Sequence, residues 1–197
     1  MQGTQHPILI ENPLSHTIMK KTAITLLCCL FTLFAQAQTE HMKFMGIPIN
    51  GTIDQFQAKL QSKGLKYDPR TSRLMESRFF TGYFSGEKSD FYVYYNMKNK
   101  IVYRAKATIK RSSLNLTKDL LEDFKIRLMQ KYSNSETEES TYEGNPSFAL
   151  FYYNGNGKII GKIDLYIVYS IGDYFLNIDY YDAANSRANE QRNNDDL

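Results

Sequence analysis

A chain of 197 residues with 24 Lys and Arg against 21 Asp and Glu is long enough for one domain with a substantial core, and its near-neutral balance gives no general attraction to nucleic acid or to an anionic membrane. Two cysteines and three histidines leave little material for thiol or metal chemistry. Fifteen tyrosines and twelve phenylalanines, with no tryptophan, favour a strand-rich fold.

Residues 1–18 show neither charge pattern nor periodicity and read as an upstream extension, with Met19 as the initiator. Met19-Lys20-Lys21, the apolar run Ala23–Phe34 and Ala35-Gln36-Ala37 have the three parts of a secretory signal, with cleavage expected before Gln38. The run is too short to span a bilayer, and neither Cys28 nor Cys29 follows the small residue that a bacterial lipoprotein signal places before its lipidated cysteine, so no stable membrane anchor is expected. Cleavage removes both cysteines and leaves His41 as the only histidine. Export without cysteines points to a bacterial periplasm or the outside of the cell.

The exported part opens with Lys43–Ile49, an extended lead-in because Pro48 lacks a donor and keeps Ile47 out of the helical region. Thr52-Ile53-Asp54-Gln55 has the spacing of a capping box and predicts a helix over about 52–63, with a narrow apolar stripe at Ile53, Phe56 and Leu60 and a stop at Gly64. Leu65–Arg78 is the least readable stretch. Phe79–Phe84, Asp90–Tyr95 and Ile101–Lys110 predict strands, and Leu116, Leu120, Leu121, Phe124 and Leu128 predict a second helix over about 116–132. Ser133–Gly144, polar and acidic, reads as a solvated loop. Strands are expected again over Phe148–Tyr153, Lys158–Ser170 and Tyr174–Tyr181, with turns at Asn154–Gly157 and Gly172-Asp173. Residues 183–197 are almost wholly polar and read as a disordered tail.

Phe91–Ile109 and Ala149–Ile167 align without a gap, sharing Tyr94/Tyr152, Tyr95/Tyr153, Asn96/Asn154, Lys100/Lys158, Ile101/Ile159 and Ile109/Ile167. That register places Val93, Tyr95, Ile101, Ala105, Ala107 and Ile109 inward, over Phe151, Tyr153, Ile159, Ile163, Leu165 and Ile167, with Val102 on the wet face. The expected fold is α+β: a helix followed by an antiparallel meander, twice (about 43–110 and 114–182), giving one antiparallel sheet with both helices on one face.

The opposite parity carries Tyr92, Tyr94, Arg104, Lys106, Tyr152, Lys162, Tyr166, Phe175 and Tyr181. Tyr and Arg together form the anchors of protein interfaces, so this face is the candidate binding surface. Asp164 and Asp179 are a candidate carboxylate pair for glycoside hydrolysis, against pairing with Lys162, Lys106 or Arg104. No nucleophile elbow, zinc-protease or phosphate-loop pattern occurs, and no catalytic residue, metal site or cofactor is assigned. The reading is an exported, non-enzymatic interaction module, an inhibitor or envelope accessory, whose partner is another envelope protein or a second copy of the chain. The alternatives are a carboxylate-dependent hydrolase of envelope sugars or peptides and a carrier of small apolar ligands.

The signal ending Ala-Gln-Ala-Gln, the opening Phe44–Gly51 and the helix to Lys63-Gly64 resemble small, uncharacterised secreted proteins of Bacteroidales-type bacteria. The helix-plus-meander tandem resembles beta-lactamase-inhibitor-protein-like and outer-membrane-assembly-lipoprotein-like folds. That resemblance implies binding of another protein on the uncovered sheet face and transfers no functional residue.

Overall fold

The computed structural model describes residues 40–73 and 77–194. The expected upstream extension and signal peptide lie outside these residues, as does the apolar run; no helix among the described residues is long and apolar enough to cross a membrane.

The chain starts with a small hairpin, β1 (Lys43–Phe44) and β2 (Ile47–Pro48), where the sequence indicated only an extended lead-in. Its turn residues Met45 and Gly46 both have positive φ, 52° and 79°. The hairpin is a plug: Met42, Phe44 and Ile49 are fully buried, and the Phe44 ring stacks on Phe84 and meets Phe91 and Tyr180 edge-on. Helix α1 (Ile53–Ser62) follows with the expected capping box, in which the Gln55 amide donates to Thr52 Oγ1 and the Thr52 amide donates to Gln55 Oε1. Its Ile53, Phe56 and Leu60 enter the core.

The unreadable stretch resolves into β3 (Lys66–Asp68) and the short helix α2 (Pro69–Ser72), capped by Asp68, whose carboxylate accepts from the Arg70 and Thr71 amides. Then come β4 (Ser77–Phe84), β5 (Glu87–Tyr95) and β6 (Val102–Arg111), joined in sequence as an antiparallel meander. Helix α3 (Leu114–Lys131) leads into a second meander, β7 (Ser135–Tyr142), β8 (Asn145–Tyr153), β9 (Ile159–Ser170) and β10 (Asp173–Asp182), and the chain closes with α4 (Ala183–Asn194).

The fold is α+β, with one eight-stranded antiparallel sheet in the order β3-β4-β5-β6-β10-β9-β8-β7. The two meanders therefore meet through their last strands, β6 and β10. Helices α1 and α3 pack on one face, where Phe56, Leu60, Leu121, Phe124 and Leu128 join Phe80, Phe91, Ile109, Leu165 and Ile178 in a single core.

Two expectations about irregular structure are corrected. Ser133–Gly144 is not a solvated loop throughout: Ser135–Tyr142 within it pairs with β8 and makes the outer edge of the sheet. Its exposed glutamates suit an edge that must not recruit further strands. Nor are residues 183–194 disordered. Asp182, fully buried, accepts from the Asn185 amide at the start of α4, and the Asn185 side-chain amide donates to the carbonyls of Ile49 and Val102. Hydrogen bonds, instead of an apolar stripe, hold this helix to the body.

The aligned hairpins also sit differently. β5–β6 is the last strand pair of its meander, whereas β8–β9 is the middle pair of its own. Tyr94 pairs with Arg104, but Lys162 pairs with Phe151, not Tyr152. One more residue separates the second pair than the first, and a one-residue change of register inverts a strand's faces.

Candidate functional site

The face of the sheet away from α1 and α3 gathers eight of the nine expected residues. Tyr92 and Tyr94 come from β5, Arg104 and Lys106 from β6, Phe175 and Tyr181 from β10, and Lys162 and Tyr166 from β9; each is half-buried. Tyr152 is the exception. The register change turns it to the helix side, where it meets Tyr132 edge-on with ring centroids 5.0 Å apart. Phe151, expected inward, takes its place on the open face beneath Lys162. Val102, expected on the wet face, is fully buried because a bulge at Tyr94/Tyr95 reverses β6 before Arg104.

At the centre lies Asp179 of β10, a carboxylate with no solvent exposure. Arg104 grips it in a two-pronged pair, Nε to Oδ1 at 2.9 Å and Nη2 to Oδ2 at 2.5 Å. The hydroxyls of Tyr166 and Tyr181 donate to Oδ2 at 3.4 and 3.3 Å. The guanidinium is itself clamped between two rings, 4.4 Å from the centroid of Tyr94 and 4.9 Å from that of Tyr181. Burial opposes the Arg104 charge, but the Asp179 carboxylate outweighs it and holds the guanidinium protonated beyond its ordinary range.

The cluster extends outward on both sides. Lys106 lies 4.8 Å over the Tyr92 ring, which meets Phe79 edge-on. Burial lowers the Lys106 pKa, partly offset by Asp179. On the other side Lys162 pairs with Asp164 at 2.8 Å; burial still raises the Asp164 pKa, with Lys162 opposing. Burial also pushes the phenols of Tyr166 and Tyr181 upward, and Asp179 adds to the effect. Beyond them the face sinks into a groove of about 470 Å³, walled by Tyr142, Phe151, Lys162, Asp164, Tyr166 and Tyr181. Phe175 lies apart, between Lys110 and Val168 on the neighbouring strands.

Sequence reasoning placed Asp179 beside Arg104 as one option and did not see it as the hub. The usable signal was a carboxylate on an outward position flanked by cations in the neighbouring strands. Asp164 and Asp179 do lie opposite each other on β9 and β10. Each is engaged by a cation. Among the described residues no cluster of three or more His, Cys, Asp or Glu could hold a metal ion.

Fold and site together define a class: an α+β protein with one large antiparallel sheet, helix-covered on one face and lined on the other by aromatic rings, two ion pairs and the Lys106 ammonium. No family model, curated protein or solved structure matches the chain.

Proposed function

We propose that this is an exported, non-enzymatic protein-interaction module of inhibitor or envelope-accessory type, which receives its partner on the open sheet face. The observation that carries the reading is the clamp at Arg104. Both charges of the Arg104–Asp179 pair are satisfied within the chain, so the guanidinium is held as a rigid planar support for Tyr94 and Tyr181. Preorganised aromatic surface loses little entropy on binding, which is the property of interface anchors.

The same geometry supports a reading of the partner's character. Arg104 and Lys162 already have carboxylates, so an acidic partner gains little from them, and a neutral aromatic or polar surface fits better. The paired state of Asp164 and Asp179 supports the binding reading over the carboxylate-hydrolase alternative, since neither carboxylate is free to act alone.

The test is capture from an envelope extract with the immobilised protein beside Tyr94→Ala/Tyr166→Ala. The expected outcome is a discrete partner retained by the parent and lost with the double substitution, at unchanged circular dichroism. Equal retention by both proteins would remove the face from the interaction.

A further inference from the structure

A second concavity lies on the opposite side of the sheet, and its chemistry differs from that of the open face. It is a cavity of about 330 Å³ between the β1–β2 turn (Met45, Gly46) and the C-terminal half of α3. This is at the small end of the range for small-molecule sites. Its walls are apolar: Phe84, Phe124, Leu128 and Met45.

The charged groups around it are all cationic. Lys63 and Lys131 line it, and Lys43 of β1 acts electrostatically on Lys131. None of these three has a carboxylate partner among the described residues, whereas Arg127, also at the rim, is held by Asp123 at 2.7 Å. Burial lowers the Lys131 pKa and Lys43 lowers it further, and the contact that offsets this is the Tyr132 ring, 5.1 Å from the ammonium, and not a carboxylate. At the inner wall is Tyr180, 3% exposed, whose ring meets Phe44 edge-on. Exposed lysines alone would be an ordinary solvated surface. Lysines at the mouth of an apolar cavity, with a phenol in its inner wall, form a receptor for an anion with an apolar body.

We propose that this cavity binds a small amphiphilic anion, an apolar chain or ring bearing a carboxylate or phosphate, with Lys63 and Lys131 on the anionic group, Phe84, Phe124 and Leu128 around the apolar part, and the Tyr180 hydroxyl as an additional donor. The site is independent of the open face, so the two assignments stand or fall separately.

The experiment is calorimetric titration of the full protein with octanoate and octyl phosphate, beside octanol, octylammonium and inorganic phosphate. The expected result is saturable binding of an octyl anion at one per chain, with octanol, octylammonium and bare phosphate at least about tenfold weaker. Whichever octyl anion binds tighter identifies the head group. Lys63→Gln/Lys131→Gln should weaken that anion about tenfold or more with melting unchanged, and Tyr180→Phe should weaken it several-fold. Octanol binding as well as octanoate, phosphate binding as well as octyl phosphate, indifference to the lysine substitutions, or no saturable binding of either anion would each overturn the assignment.

Discussion

Arg104 keeps a quarter of its side chain in solvent while Asp179 keeps none, so the two partners of the central ion pair do not respond equally to truncation. Arg104→Ala leaves a buried carboxylate with only two long hydroxyl contacts, and a loss of about 3–5 kcal/mol is expected. Asp179→Ala leaves a cation that can turn toward water, and its loss should be clearly smaller. Urea unfolding of the two variants measures the difference; equal losses would mean that Asp179 is not the desolvated member. Residue identity also explains why the first turn was missed and the last was expected one residue late, at Gly172-Asp173 instead of Ile171-Gly172. Met45 and Ile171 occupy the left-handed region at φ 52° and 49°, where Asn or Gly would ordinarily mark a turn, and Ile171 does so while 97% exposed. The β1–β2 hairpin therefore carried no turn signal at its first position.

Elements with their own periodicity were legible: α1 through its capping box, α3 through Leu121, Phe124 and Leu128, and β6 and β9 through alternation. Elements whose order comes from a partner were not. β7 has no apolar face, and it is a strand because β8 presents a free backbone edge. α4 is a helix because Asp182 and Asn185 anchor it. The same physics gives its prediction: Asn185→Ala leaves the Ile49 and Val102 carbonyls without their amide donor and should lower stability by about 1–3 kcal/mol, with loss of amide-exchange protection across 183–194. Unchanged protection would show that α4 is held by other contacts. The candidate site was legible to the extent that strand parity was. It failed at Tyr152, where one added residue between paired positions reversed the faces, a change that no gapless alignment of β5–β6 on β8–β9 can represent.

The molecule as a whole is committed to neutral phenols. Burial pushes Tyr132 up to about 12, and Tyr166, Tyr180 and Tyr181 also lie above the ordinary value, burial being the leading cause in each. A raised folded pKa means that the folded chain holds protons which the unfolded chain releases from about pH 10 upward. The associated stability is complete below that pH and is lost as pH rises through the folded values; for Tyr132 the window runs from about 10 to about 12. Urea midpoints should fall steeply across that window, and the phenolate absorbance of these four residues should appear in step with unfolding, after that of exposed tyrosines such as Tyr83 and Tyr169. Phenolate formation in these four residues with the fold intact would contradict the burial account.

The meeting of the two meanders at β6 and β10 fixes the order in which the sheet can be completed. β3 and β7 end at the rims, while β10, the last strand among the described residues, goes to the middle. Until Asp173–Asp182 has emerged, β6 and β9 are both unpaired edges, each rich in apolar residues on one face. The sheet thus closes with β10, as a keystone closes an arch, and the two halves of the core cannot join until that strand is in place.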